Sequence, residues 1–188
     1  MRKNSKDGVV WHNSTLMSMG ISAHEMRSGE QITWFVSRPM KVLLYYVGKP
    51  RDAHANGMAE EFIKRSTRFG RCEMHEIQPA RFDPWVKHPA GTKVLLDPAG
   101  QRMDSAQFAR LIAGAELAAR DLIFLVGGAG GLPSAWREKV GRENAGRKSG
   151  DLLLSLSEMT MPHELARVVL AEQIYRAFTL LRGHPYPK

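Results

Sequence analysis

The sequence predicts an α/β fold built on a largely parallel sheet, and three observations carry that expectation. From Met40 onward, short β-rich apolar runs alternate with longer stretches of helical periodicity. Several of the short runs end in turn-forming residues, as at Gly48-Lys49-Pro50, Asp97-Pro98-Ala99-Gly100 and Gly127 to Gly131. The chain of 188 residues, 43% hydrophobic and 24% charged, has the size and apolar content of one globular domain.

The elements follow in order. Residues 1–39 are rich in Ser, Asn, Gly and Met and lack sustained periodicity. They read as an accessory extension, with Met40 expected as the natural start and Trp34 to Val36 as a candidate edge strand. They do not form a signal peptide pattern, since the basic start is not followed by a continuous apolar segment and a small-residue cleavage site. KVLLYYV (41–47) predicts a buried strand. Asp52 to Phe69 predicts a helix with Met58, Phe62 and Ile63 inward and Lys64, Arg65 and Arg68 outward. Cys72 to Gln78 is the second strand, and the stretch from Pro79 to Gly91, with three prolines, is irregular. KVLL (93–96) is the third strand, with Asp97 to Gly100 a turn after it. Asp104 or Ser105 can cap a helix running through Leu117 by accepting its orphaned backbone N–H groups. DLIFLV (121–126) is the fourth strand and runs straight into the glycines. Leu132 to Val140 predicts a short helix that tolerates Pro133 in its first turn, and DLLLSL (151–156) the fifth strand. A closing helix runs from about His163 to Arg182, with Gly183 as its C-terminal stop and Pro185 beyond.

Composition narrows the partners. A formal charge of +8 favours a polyanion, because Lys and Arg gain from displacing counterions on phosphate backbones. The single Cys72 cannot form an internal disulfide, which fits a reducing cytoplasm. No His or Cys spacing suits a structural metal, and no apolar run approaches the roughly 20 residues of a membrane span. The expectation is therefore a cytoplasmic protein with neither metal nor membrane.

In open α/β sheets ligands gather at the carboxyl ends of strands, which singles out the loops at Asp97, at Gly127 to Gly131 and at Ser155 to Pro162. Four glycines in five residues let a ligand approach the backbone closely. The run matches neither G-x-G-x-x-G nor a P-loop, so dinucleotide and triphosphate sites are disfavoured. Backbone amides of the Ser155 to Pro162 loop could read a purine edge while Leu and Met side chains cover its faces; equally, Thr160 could simply cap the following helix.

Taken together, GGAGGL (127–132), LSLSEMTMPHELARVVLAEQIYRA (154–177) and HPYPK (184–188) resemble the SPOUT-superfamily methyltransferases that modify N3 of a pseudouridine in large-subunit ribosomal RNA. The resemblance runs from Met40 to Lys188. It implies a parallel-sheet α/β/α sandwich with a C-terminal trefoil knot, an obligate homodimer, S-adenosyl-L-methionine as cofactor, and ribosomal RNA in the assembled ribosome as partner. By position it implies cofactor binding by Leu96, Gly127, Gly128, Leu156, Ser157, Glu158, Met159, Thr160, Met161 and Pro162. The apolar residues of the closing helix, among them Leu165, Val169 and Leu181, are the expected dimer contacts.

The chain departs from the family pattern in three places. Relatives commonly carry G-G-P-E-G where this chain has Gly127-Gly128-Ala129-Gly130-Gly131, so no carboxylate stands at position 130. The tail reads Pro185-Tyr186-Pro187-Lys188 rather than P-Y-H plus a basic residue. The segment between Pro79 and Lys93 is short and is expected to lack a helix.

A sulfonium methyl is already activated, so positioning dominates and the protein must help the target nitrogen lose its proton. Arg176 is the candidate for stabilising the developing anion. His163 and Tyr186 are the other catalytic candidates. Arg167, four residues from His163 on one helix face, is a candidate RNA contact together with Arg142, His184 and Lys188. The basic run Arg137, Lys139, Arg142, Arg147 and Lys148 reads either as an RNA clamp or as a solvated face.

Overall fold

The computed structural model describes residues 39–144 and 150–186, with the side chains of 142–144 excepted. The candidate strand at Trp34 to Val36 and the residues Arg147, Lys148 and Lys188 lie outside the described residues, as does the side chain of Arg142.

Five strands form one sheet: β1 (Lys41–Val47), β2 (Arg71–Ile77), β3 (Thr92–Arg102), β4 (Leu122–Val126) and β5 (Leu152–Ser155), in the order β2-β1-β4-β3-β5. Every pairing is parallel, with Leu44 opposite Phe124 and Val94 opposite both Phe124 and Leu152. Parallel sheets need cover on both faces, and the two sets of alternating side chains find it.

On one face Val42, Leu44, Val94, Leu122, Phe124, Val126 and Leu154 pack beneath three helices: α1 (Ala53–Ser66), α3 (Ser105–Leu117) and α5 (His163–Leu181). On the other, Leu43, Tyr45, Leu95, Ile123 and Leu125 meet Leu132 and, from α4 (Ser134–Asn144), Trp136 and Val140. The result is the three-layer α/β/α arrangement.

Local chemistry sets the element ends. Asp52 accepts from the backbone N–H of His54 and Ala55 and starts α1. Asp104 and Gln107 form a reciprocal capping box at α3, where loss of the cap costs about 1 kcal/mol. Past α5, Gly183 adopts φ +63°, the left-handed conformation that glycine takes without strain.

Four expectations change. Met58 is 53% exposed, and Ala59 faces the core in its place beside Ile63, which is buried as expected. The stretch after β2 is not irregular throughout: it holds a 3-10 turn (Pro79–Arg81) and a single-turn helix α2 (Pro84–Lys87), capped by Asp83. Its Trp85 indole donates to buried Asp151 at 2.9 Å, an anchor too short in sequence to show periodicity. The turn at Asp97 to Gly100 lies inside β3 as a bulge, because Leu96 and Gln101 both pair with Leu154. A Cβ at Gly100 would sit 2.6 Å from the backbone of Leu153 and Leu154, so only glycine fits there. Finally, Pro162 rather than Thr160 stands at the start of α5, with no side-chain cap.

Candidate functional site

Three loops expected to converge do so. A cleft at the carboxyl ends of β3, β4 and β5 is lined by Leu96, Asp97, Pro98, Val126, Gly127, Gly128 and Gly131, and by Leu154 to Ser157 with Met159, Thr160, Met161, His163 and Ala166. No residue of β1 lines it, so it lies to one side of the step between β1 and β4 at which the sheet order reverses.

Backbone proximity shapes the glycine wall. A Cβ on Gly127 would lie 2.5 Å from the carbonyl carbon of Gly131, and one on Gly128 would lie 3.1 Å from the Val47 oxygen. Gly131 has φ +76° and its N–H donates to the Gly128 carbonyl at 2.9 Å, closing the loop as a tight turn. The opposite wall is braced internally: the Ser155 hydroxyl donates to the Ser157 carbonyl at 3.0 Å, and the Met159 N–H donates to the Ser157 hydroxyl at 3.0 Å. Asp97 is the one carboxylate among the cleft's described lining residues. One oxygen of Asp97 accepts the Ala99 N–H at 2.9 Å and the other lies 3.3 Å from the Arg137 guanidinium.

Beside this cleft, and sharing Gly128, Gly131 and His163 with it, a wider groove of about 950 Å³ is lined by Lys49, Arg51, Pro79, the glycine loop, Ser134 and Arg137. No Asp or Glu is among its described lining residues.

The family model described as predicted SPOUT methyltransferase matches residues 40–187. The chain belongs to the SPOUT methyltransferase family. It is 56% identical over 147 residues to the ribosomal RNA large subunit methyltransferase H of Solibacter usitatus, covering 78% of this chain and 99% of that one. Proteins of the same name from Gemmatimonas aurantiaca and Thermus thermophilus are each 37% identical, with 79% and 78% of this chain covered and 100% and 98% of theirs. Membership implies use of S-adenosylmethionine and the C-terminal trefoil knot.

The cleft suits that cofactor on its own chemistry. Apolar walls of Leu96, Val126, Leu154 and Leu156 can cover an adenosine, glycine admits close approach, and the Asp97 carboxylate at the rim suits a cationic ligand. Of the expected cofactor residues in this SPOUT methyltransferase, Leu96, Gly127, Gly128, Leu156, Ser157, Met159, Thr160 and Met161 line the cleft. Glu158 and Pro162 are not among the lining residues; the Glu158 carboxylate is exposed and ion-paired with Arg102.

The catalytic candidates are not brought together within one protomer. His163 lines the cleft, whereas Arg176 lies thirteen positions further along α5, about 20 Å at 1.5 Å per residue. There Arg176 pairs with Glu172 at 2.6 Å and lies 5.1 Å over the Tyr186 ring, which in turn meets Tyr175 edge-on. Hydrogen bonding to Glu172 holds the Arg176 pKa above its ordinary value, and burial raises that of Tyr186. His184 is exposed beside them, edge-on to Phe69.

Arg167 does not present itself to RNA. It is 1% exposed, with its guanidinium 4.1 Å from the Tyr46 ring centroid and 3.9 Å from Glu164. Its Nε and Nη2 find no hydrogen-bond partner among the described residues. The helix face that carries it turns onto the sheet, so its four-residue spacing from His163 does not place it at the surface. Lys139 likewise is engaged locally, 4.3 Å over the Trp85 ring.

The sequence reading missed Lys49 and Arg51 as site residues; they sit in the turn after β1, and no local motif marks them. Cys72 offers no nucleophile, since burial pushes its thiol up to about 12. Among the described residues no group of three or more His, Cys, Asp or Glu could hold a metal, and no helix is long and apolar enough to cross a membrane.

Proposed function

We propose that this protein methylates N3 of a pseudouridine in large-subunit ribosomal RNA, using S-adenosylmethionine bound in the cleft at the ends of β3, β4 and β5. Residues 40–188 form the methyltransferase domain and residues 1–39 an accessory extension. The protein acts on the assembled ribosome in the cytoplasm. The observation that carries this reading is the convergence of Leu96, Gly128 and Met161 on one apolar cleft in a chain whose relatives are named for ribosomal RNA methylation.

When bound, the cofactor supplies a methyl group on a sulfonium, activated for transfer. The glycine wall and the Ser155 to Met161 loop hold it and exclude water. Asp97 favours the cationic cofactor over its neutral product. His163, at the junction of cleft and groove, is placed to take the proton from the ring nitrogen.

Arg176 stands about 20 Å along α5 from that junction with Tyr186 packed against it, so within one protomer they serve no substrate in the cleft. A homodimer in which each copy lends its C-terminal segment to the other's cleft resolves this. Arg176 then stabilises the charge that develops on the ring as its proton leaves.

Nucleoside mass spectrometry of ribosomal RNA from cells with and without the gene tests the assignment. One N3-methylated pseudouridine should vanish on deletion and return when purified protein and cofactor are added to the undermodified ribosomes. An unchanged nucleoside profile, with tight S-adenosylhomocysteine binding retained, would redirect the enzyme to another RNA. Absence of any cofactor binding would leave a ribosome-binding protein without chemistry.

A further inference from the structure

We propose that the groove framed by Lys49, Arg51, Arg137 and His163 holds the sugar-phosphate backbone of the RNA strand that delivers the target base to the adjoining cleft. This rests on the ribosomal RNA reading above and adds where the strand lies and which side chains hold it.

The groove is assembled from segments far apart in sequence. Lys49 and Arg51 come from the turn between β1 and α1, Arg137 from α4, and His163 from the start of α5. Lys49, Arg51 and Arg137 are exposed. Cations that converge from separate elements on one concavity, without a carboxylate among its described lining residues, differ from a charge run along one helix, which usually just faces solvent. The floor is the glycine loop and the opening turn of α4 at Ser134.

The groove joins the cleft. Gly128, Gly131 and His163 line both, so a strand lying along Lys49, Arg51 and Arg137 passes within one side chain of the cofactor site. A base turned off that strand enters the cleft past His163.

The cationic wall is held in place by a device that uses neither site. Glu164, in the first turn of α5, accepts the backbone N–H of Arg51 at 2.6 Å and that of Asp52 at 3.2 Å. Buried Arg167 lies beneath that carboxylate, over Tyr46. The turn bearing Lys49 and Arg51 is thereby tied to the helix whose preceding loop forms the cofactor wall. Glu164 is thus a positioning residue, its charge directed at backbone amides. Arg137 shares its charge with Asp97 at 3.3 Å, so Lys49 and Arg51 carry more of the phosphate binding.

The test compares the full-length parent with K49A/R51A and K49A/R51A/R137A. Three readouts are used: steady-state methylation of undermodified ribosomes, S-adenosylhomocysteine calorimetry, and fluorescence anisotropy with an oligouridylate across a salt series. The triple variant should raise KM for ribosomes about tenfold and flatten the log K against log salt slope by about 2, at roughly 0.7 for every single-strand phosphate no longer neutralised. Cofactor affinity should stay at the parent's value, and K49A/R51A should account for most of the change. A triple variant with the parent's KM and oligouridylate salt slope overturns the proposal. If the parent itself fails to methylate ribosomes, the ribosomal assignment falls, and the oligouridylate series still decides the groove: abolished binding in the triple variant upholds it and equal binding refutes it.

Discussion

The cleft and the groove share three residues and little else. The cleft is apolar and carries Asp97; the groove is wide, polar and cationic, with Lys49, Arg51 and Arg137. Each charge set is opposite in sign to its proposed occupant, a sulfonium on one side and a phosphate chain on the other. The division teaches that a protein of net charge +8 need not be basic where its chemistry happens. Gly127 to Gly131 forms the partition, and His163 is the one titratable side chain described on both sides.

The largest effect should come from thickening the partition. Gly127→Leu places a side chain where a Cβ alone would lie 2.5 Å from Gly131 backbone. S-adenosylhomocysteine binding should be undetectable by calorimetry. Gly128→Ala, whose Cβ would lie 3.1 Å from the Val47 carbonyl oxygen and 3.4 Å from the Val47 side chain, should retain measurable but weaker binding and keeps the test informative if the leucine variant misfolds.

Next, Arg176→Ala should lower the single-turnover methylation rate by about 100-fold or more while leaving cofactor affinity unchanged. Equal rates in variant and parent would remove Arg176 from the reaction. Mixing Arg176→Ala with a cleft-defective Gly127→Leu chain should restore activity to mixed dimers, provided the glycine variant still dimerises; no recovery from such dimers would refute the shared site.

A smaller change sharpens the charge contrast. Asp97→Asn should weaken S-adenosylmethionine binding by about tenfold and the neutral S-adenosylhomocysteine much less, since only the former carries the sulfonium. Identical losses for both ligands would mean that Asp97 serves the loop alone.

The smallest effect concerns the groove wall. Hydrogen bonds from the Arg51 and Asp52 amides hold the Glu164 carboxyl below its ordinary 4.5. A depressed carboxyl contributes stability that is present above its unfolded value and fades as pH falls through the folded one. The Tm difference between parent and Glu164→Gln should therefore be constant above about pH 5 and shrink as pH falls below 4.5. A difference independent of pH would show that the clamp does not depend on charge.

Much of the fold was legible because long elements carry strong patterns. The continuous apolar runs of β1 and β4, the capped α3 and the periodic α5 appear within a few residues of where the sequence puts them. What escaped was decided by distant partners. α2 forms because Trp85 reaches Asp151 and Trp136, which its own residues do not foretell. The bulge at Asp97 to Gly100 depends on pairing with Leu154.

The candidate site divides the same way. The glycine loop and the Leu154 to Met161 segment each carry a local signature. Lys49 and Arg51 carry no local signature, and they join Arg137, read from the sequence as one cation of a basic run, only once the turn after β1 and α4 come together. Arg167 shows the converse error: a cation at surface-like spacing that the layer packing buries. Arg176 and Tyr186 were readable as residue types, but one chain separates them from the cleft they were expected to serve.

The bulge in β3 fixes one lip of the cleft. Because Leu96 and Gln101 are both laddered to β5, the Asp97 to Gly100 lip is riveted at either end and has no hinge. The Leu156 to Met161 wall lies beyond the end of β5 and is held by the Ser155, Ser157 and Met159 hydrogen bonds and by the Glu158–Arg102 ion pair rather than by a strand ladder. With the cofactor in this cleft as proposed, substitutions that stiffen residues 156–161 should lengthen the dwell time of the product more than equivalent changes in the lip.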